Sequence, residues 1–155
     1  MARWVTVAGL FVVFVLVGTG PLTGLDVTSA PADTFGDGDA VIADVSVDRS
    51  GLALTTGRFG TSVTYLRAPP ATVTVDSVTD RPRLLYIVTV PALDVRLVET
   101  RVLTGPGTYR LAPDDGALAP GTADGSYGAT LSVRLQSFTT DRQLRRTNVT
   151  VEAPR

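Results

Sequence analysis

Residues 126–138, SYGATLSVRLQSF, decide the fold because their apolar and polar side chains alternate over most of the stretch. From Tyr127 to Leu135 the odd positions are apolar, and from Gly128 to Gln136 the even positions are small or polar. Successive side chains of a β-strand point to opposite faces of a sheet, so this period of two predicts a strand with one buried face.

The end of the chain repeats this pattern after a polar turn. The turn is TTDRQ at 139–143, and LRRTNVTVE follows at 144–152. Val149 and Val151 are expected to face inward, and Asn148, Thr150 and Glu152 outward. The two segments therefore predict an antiparallel hairpin.

Five earlier segments also have the composition of strands, at 41–48, 51–57, 61–66, 71–78 and 83–90. Only a short Asp-Arg-Ser turn separates the first two, which predicts another hairpin. The fifth segment, RLLYIVTV, is apolar on both faces, as expected for a central strand buried on two sides.

The segment after Pro91 is ambiguous, because the apolar positions of 92–103, ALDVRLVETRVL, fit neither a strand nor a helix cleanly. We favour a strand with a β-bulge at Val98, since Glu99 and Arg101 fall where apolar residues are expected. Residues 104–126 are rich in turn residues around one short strand, TYRLA.

The sequence DGSYGATLSVRL at 124–135, followed by a turn and a terminal NVTVE, resembles the last hairpin of immunoglobulin-like and fibronectin-type-III-like sandwiches. The resemblance implies an all-β, Ig-like β-sandwich of seven to nine mostly antiparallel strands over residues 41–155. It implies no activity, and the cysteine–tryptophan core of antibody domains is missing, since Trp4 is the only tryptophan.

The amino-terminal segment is apolar, with no charged side chain at 4–25. As a helix it is about 33 Å long, enough for a bilayer core of about 30 Å, whereas its densest part, 7–17, also fits a signal peptide. We therefore expect 1–25 to be a transmembrane anchor or a cleaved signal. Arg3 before the segment and acids after it place the following domain outside the membrane.

Residues 26–40, DVTSAPADTFGDGDA, show no strand or helix period and predict a flexible linker. Asp33, Asp37 and Asp39 are weak candidates for Ca²⁺ ligands, because calcium takes several oxygen ligands. Their spacing does not match the helix–loop–helix calcium motif, and a solvated acidic linker is the alternative.

Composition excludes several classes of function. The net charge of −1 gives no electrostatic reason to bind nucleic acid. All 14 basic residues are Arg, and His and Cys are absent, so the usual bases, thiolates and zinc ligands are missing. The use of Arg without Lys and Asp over Glu resembles that of haloarchaea, although cytoplasmic haloarchaeal proteins are usually more acidic.

No catalytic or cofactor-binding motif stands out, and we expect neither a cofactor nor an enzyme. Two-carboxylate chemistry is the one option that the composition leaves. Its candidates are Glu99, Asp114, Asp115 and Asp124, although Asp114 and Asp115 precede a glycine and fit a turn.

Two surface features remain. Asn148-Val149-Thr150 is an N-glycosylation acceptor sequence on the expected solvent face. Arg142, Arg145 and Arg146 form a basic cluster at the last turn, either solvated or a docking site for an acidic partner or an anionic surface polymer.

Together these patterns predict a membrane-anchored, non-enzymatic cell-surface module with a structural or protein-interaction role. Its expected partners are the membrane and a surface-layer or neighbouring protein. A secreted or surface domain that binds a ligand or calcium, and an accessory subunit of a surface appendage, are the alternatives.

Overall fold

The computed structural model describes residues 35–57, 63–121 and 124–153, which contain ten β-strands and no α-helix. No helix among them is long and apolar enough to cross a bilayer. The described residues exclude the segment 1–25 and the first nine residues of the expected linker, 26–34, which include Asp33. The strands are β1 Gly38–Val47, β2 Ala53–Thr56, β3 Thr64–Arg67, β4 Ala71–Asp80, β5 Arg83–Val90, β6 Val95–Val102, β7 Gly107–Leu111, β8 Gly116–Leu118, β9 Ser126–Gln136 and β10 Asp141–Glu152.

The strands form three antiparallel sheets. One has four strands in the order β10-β9-β5-β6, and two have three strands each, β1-β4-β7 and β2-β3-β8. In both small sheets the middle strand comes from the same stretch of chain, since β3 leads directly into β4. Strands β1 and β2 flank this stretch on one side, and β7 and β8 flank it on the other. The two small sheets are therefore one three-stranded layer that is broken across its middle.

Local sequence causes this break at each of the three strands. Pro69 and Pro70 separate β3 from β4, and Pro113 lies between β7 and β8. Proline has no N–H to donate to a strand ladder, so pairing stops at these points. Between β1 and β2 the chain makes a 3-10 turn at Arg49–Gly51, and Asp48 caps it by accepting the Ser50 N–H at 2.9 Å.

The break explains two differences from the sequence-based prediction. The strands number ten rather than seven to nine, because three long strands are each cut in two. The hairpin expected between 41–48 and 51–57 is wrong: β1 pairs with β4, and β2 pairs with β3. A Cβ on Gly51 would lie 2.7 Å from the Pro69 Cβ, so the turn packs directly on the proline break.

One hydrophobic core joins the two layers into a β-sandwich. Alternate residues of β5 and β9 are buried, and they meet the buried residues of β4 and of the short strands. The core residues with no more than 2% exposure on these three strands are Ala71, Val73, Val75, Leu84, Tyr86, Val88, Val90, Leu131, Val133 and Leu135. Burial of each such Val or Leu side chain contributes up to about 1.5–3 kcal/mol.

The central position expected for residues 83–90 is confirmed, because β5 pairs with β9 on one side and β6 on the other. The two faces of β5 differ in burial. Leu84 and Val88 are fully buried, whereas Leu85 and Ile87 are only half-buried. The apolar residues on the second face of β5 therefore do not lie in the core.

The strand favoured over a helix for 92–103 is confirmed as β6, but the bulge expected at Val98 is wrong. The pairing of β5 with β6 is continuous from Arg83↔Val102 to Val90↔Val95. Glu99 and Arg101 consequently share the inner face with Leu97, and their side chains form an ion pair at 3.6 Å. Inward-pointing charges on an edge strand hinder pairing with another chain.

The terminal hairpin is confirmed in pairing and facing, but its turn lies at 137–140 rather than at 139–143, and β10 begins at Asp141. Strands β9 and β10 pair from Asp141↔Gln136 to Glu152↔Ser126, with one irregularity between Gln143 and Arg145. Val151 is buried, whereas Asn148, Thr150 and Glu152 are exposed. At the start of β9 the Tyr127 hydroxyl accepts the Asp124 N–H at 2.8 Å, which fixes the corner that leads into the strand.

Candidate protein-interaction face

The four-stranded sheet has one face on the core and one on the solvent, and we call the second its outer face. The register gives the rows of outer-face residues across β6, β5, β9 and β10. The rows are Val102–Arg83–Gln136–Asp141, Thr100–Leu85–Arg134–Gln143, Val98–Ile87–Ser132–Arg146 and Arg96–Thr89–Thr130–Asn148.

The middle of the outer face is apolar. Ile87 lies directly opposite Val98, and Leu85 is the next residue of β5 on this face. Val98 is 46% exposed; among the described residues only Val41 and Phe138 are also large, hydrophobic and exposed. The apolar middle of the outer face consists of Leu85, Ile87 and Val98. Cross-strand neighbours of this kind lie about 5 Å apart, so the three side chains form one patch.

Arginines border this apolar patch. Arg96 and Arg146 are exposed, Arg134 forms an ion pair with Asp141 at 2.8 Å, and Arg83 donates to Gln136 at 2.6 and 3.0 Å. No carboxylate occupies the two middle rows of the face. The outer face therefore combines a small apolar centre with a positively charged border.

Asn148 lies at one corner of this face, beside a shallow hollow of about 440 Å³. Gly128 leaves the hollow open, because nothing lies within 4 Å of the position a Cβ would take. Thr130 donates a hydrogen bond to the Asn148 Oδ1 at 3.1 Å. The side chain is exposed on an edge strand, and Thr150 of the acceptor sequence lies on the same face.

Two arginines of the basic cluster cross from one layer of the sandwich to the other. Arg142 donates to the Ala40 carbonyl at 2.8 Å and pairs with Asp39 at 3.3 Å, and Arg145 donates to the Val45 carbonyl at 3.1 Å. These bonds span a groove of about 510 Å³ between the edge strands β1 and β10. We call this groove the seam. The cluster is thus divided: Arg146 lies on the outer face, while Arg142 and Arg145 satisfy backbone groups of β1.

The candidate calcium ligands Asp37 and Asp39 have other partners. The Asp37 carboxylate accepts hydrogen bonds from the Thr139 hydroxyl and the Gly38 N–H, and these bonds hold the pKa of Asp37 below its usual value. Asp39 accepts the Ala40 N–H at 2.7 Å besides its pair with Arg142. Over the described ranges no three acidic residues form a group able to hold a metal ion. Asp33 is outside these ranges, so the calcium site stays a prediction.

The carboxylates considered for acid–base chemistry also occupy separate local settings. Glu99 pairs with Arg101, and Asp115 pairs with Arg67 at 3.4 Å. Asp124 belongs to the corner before β9, and Asp114 is exposed between β7 and β8.

Comparison of the chain with protein-family models, with curated proteins and with solved structures found no match. The outer face must therefore be interpreted from its own residues. Sequence reasoning missed this face because it assigned both faces of β5 to the core. The sequence carried no sufficient signal, because the Ser, Thr and Arg neighbours of Leu85 and Ile87 on the adjacent strands are identified only by the register.

Proposed function

We propose that this chain is a non-enzymatic, membrane-anchored cell-surface module that binds a neighbouring protein through its outer face. The observation that carries the proposal is the apolar patch of Leu85, Ile87 and Val98 within a border of arginines. Protein interfaces commonly bury an apolar centre inside a polar rim. The partner we infer has a small apolar surface flanked by carboxylates, because Arg96 and Arg146 are exposed on the border of the patch and would pair with them on binding.

The fold we infer is immunoglobulin-like. A four-stranded layer packs on a broken three-stranded layer, and a tyrosine at the start of β9 binds the backbone just upstream, as in the tyrosine corner of such sandwiches. The arginine-only composition fits a haloarchaeal source.

The location follows from the amino-terminal sequence. Arg3 precedes an uncharged stretch at 4–25, and Asp26 and Asp33 follow it. The charge pattern favours a single-pass protein with its sandwich outside the cell, or a secreted one if the stretch is cleaved.

The test is site-specific photocrosslinking in intact cells that express the full chain. A photoreactive phenylalanine derivative replaces Val98 on the outer face, and in the matched control it replaces Val41, which is 58% exposed on β1. The proposal expects one discrete crosslinked product from position 98 and none from position 41. Equal products from both positions, or none from either, would contradict it.

The charge of the partner is tested with the same reagent. Arg96→Glu and Arg146→Glu are expected to weaken the crosslink from position 98, because each places a negative charge on the border of the patch. Arg110→Glu is the control, since Arg110 is exposed on β7 in the other layer. An unchanged product in all three variants would rule out an acidic partner surface.

A further inference from the structure

The chain enters the sandwich between two loops, at a point that we call the tether end. It comprises residues 35–37, 80–83 and 137–140. Gly36 donates its N–H to the Arg81 carbonyl at 2.9 Å, and Arg81 donates back to the Asp37 carbonyl at 3.0 Å. On the other side Phe138 donates to the Gly36 carbonyl at 3.3 Å. These bonds fix the direction in which residue 35 leaves the domain.

The tether end presents an exposed aromatic side chain. Phe138 is 73% exposed, the highest value among the large hydrophobic residues of the described ranges. Its ring meets the edge of the Phe35 ring at a centroid distance of 4.8 Å, and the Arg83 guanidinium covers the Phe35 ring at 4.1 Å. Phe35 therefore packs against one side of the Phe138 ring, and Arg83 in turn holds Phe35 in place.

The loop that carries Phe138 is held by hydrogen bonds of its own side chains and backbone. The buried Ser137 hydroxyl accepts the N–H groups of Thr139 and Thr140 at 3.3 and 2.9 Å. The Thr139 hydroxyl in turn donates to Asp37. A loop held in this way keeps most of the Phe138 ring in solvent, although one side of the ring contacts Phe35.

The tether end is also close in sequence to the apolar segment. Only nine residues, 26–34, separate position 25 from Phe35. Nine residues span at most about 30 Å when fully extended and about 17 Å as a flexible coil. With residues 4–25 in a bilayer, the tether end is held near the lipid surface, and contact becomes an intramolecular event at high effective concentration.

We propose that the tether end docks on the membrane, with the Phe138 ring inserted at the boundary between headgroups and acyl chains. The inference rests on the proposed membrane anchor. Aromatic side chains favour this boundary, and the exposed Arg81 beside Gly36 faces the headgroup phosphates. Asp80 precedes Arg81 in the chain, and the Asp37 carbonyl accepts the Arg81 N–H, so both acids lie near this arginine. The ring therefore drives docking rather than net charge, and zwitterionic lipid suffices.

The test measures tryptophan fluorescence of the full chain in phosphatidylcholine vesicles, with and without lipids brominated near the headgroup. Trp4 is the only tryptophan of the native chain and reports insertion of the apolar segment. In a Trp4→Phe background, Phe138→Trp reports the tether end. Ala92→Trp is the matched control, because Ala92 is exposed in the turn at Pro91–Leu93, one strand length away along β5.

Docking predicts that brominated lipid quenches the emission of the Phe138→Trp protein, with a blue shift, and leaves that of Ala92→Trp unchanged. Quenching of Trp4 without quenching at position 138 would overturn the docking and leave the anchor intact. A native protein whose Trp4 is not quenched would overturn the anchor, and the docking with it. Equal quenching at positions 138 and 92 would show a domain lying on its side and would overturn this orientation.

Protease cleavage of the tether gives a second readout. Docking shields residues 26–34, so Phe138→Asp is expected to speed cleavage of the vesicle-bound chain, whereas Val98→Asp is not. Unchanged cleavage in both variants would contradict the docking, provided that circular dichroism shows both to be folded.

Discussion

Tyr86 is the one buried side chain of the described residues whose polar atom has no hydrogen-bond partner among them. It lies fully buried on β5, in the middle of the core. A buried hydroxyl without a partner has lost its bonds to water and gained none in return.

Tyr86→Phe removes this hydroxyl and is expected to leave the free energy of unfolding unchanged or to raise it by about 1 kcal/mol. Tyr109→Phe is the control, because the Tyr109 hydroxyl donates to the Gly105 carbonyl at 2.7 Å, and its loss should cost about 1 kcal/mol. Equilibrium unfolding in urea measures both. A clear loss of stability in Tyr86→Phe would mean that the hydroxyl has a partner outside the described residues.

The same residue predicts a response to alkaline pH. Burial raises the pKa of Tyr86 to about 12, so the folded protein holds this proton more tightly than the unfolded chain, in which the pKa is about 10. The stabilisation that the protonated Tyr86 hydroxyl gives to the folded state is fully present below about pH 10. This stabilisation is lost as the pH rises toward 12. Tyr86→Phe should therefore lose less stability than the native protein over this range in thermal unfolding. Equal losses would contradict the assignment.

The elements of this protein differ most in how their edges are protected. Strands β10 and β6 are the edge strands of the four-stranded sheet. Strand β1 is an edge strand of the other layer, and it lies next to β10 across the seam. Exposed edges pair readily with other chains unless charges, bulges or covering groups prevent it. Here arginines bridge the seam on one side, and an ion pair points inward on the other.

At the seam, Arg142→Ala combined with Arg145→Ala removes the bonds to the Ala40 and Val45 carbonyls. The free energy of unfolding is expected to fall by about 1 kcal/mol, and the uncovered edge of β1 should promote self-association. Arg146→Ala lies on the outer face and should change stability by less than about 0.5 kcal/mol. Unfolding and sedimentation velocity check both, and an unchanged double variant would show that the bridges do not matter.

On β6, Glu99→Val combined with Arg101→Leu extends the apolar inner face of the strand. The melting temperature is expected to stay the same or rise, because apolar residues often replace a partly buried ion pair without loss. The edge loses its inward charges, so self-association at high concentration should increase. Glu99→Gln keeps the polar character and serves as the control. A marked fall in melting temperature would show that the pair is needed for folding.

At the scale of the whole molecule, the N-glycosylation sequence at Asn148 connects the cellular location of the protein with the chemistry of its surface. Asn148 is exposed on an edge strand, and a glycan there would extend over the corner of the outer face. If the sandwich lies outside a cell that glycosylates, the intact mass of the native protein is expected to exceed that of the bare chain. Thr150→Ala should remove the added mass, since it destroys the acceptor sequence. A native mass equal to that of the bare chain would exclude the glycan.

The sequence predicted the type of structure well where the pattern was local. Alternation identified β4, β9 and β10, a continuous apolar run identified β5, and the polar turn before residue 144 indicated the terminal hairpin. The strand β6 was also predicted, but its slip in phase was wrongly interpreted as a bulge. The inward Glu99–Arg101 pair shows why: an edge strand tolerates charge on its inner face, and the sequence does not say which strand is at an edge.

The candidate face could be predicted only in part for the same reason. Leu85 and Ile87 are apolar in the sequence, but their exposure depends on which layer, if any, covers the second face of β5. The bridging role of Arg142 and Arg145 was also beyond sequence reasoning, because their partners lie about 100 residues away in the chain.

The sequence by itself determined that this chain builds β-strands, that its end forms a hairpin and which catalytic side chains it lacks. These properties follow from residue type and from a period of two, and both are local. The tertiary structure alone decided that β1 pairs with β4 rather than with β2. It also decided that the second layer divides into two three-stranded sheets, and that Phe138 stays in solvent. Those outcomes depend on which distant segments meet across the core, and no local pattern specifies such encounters.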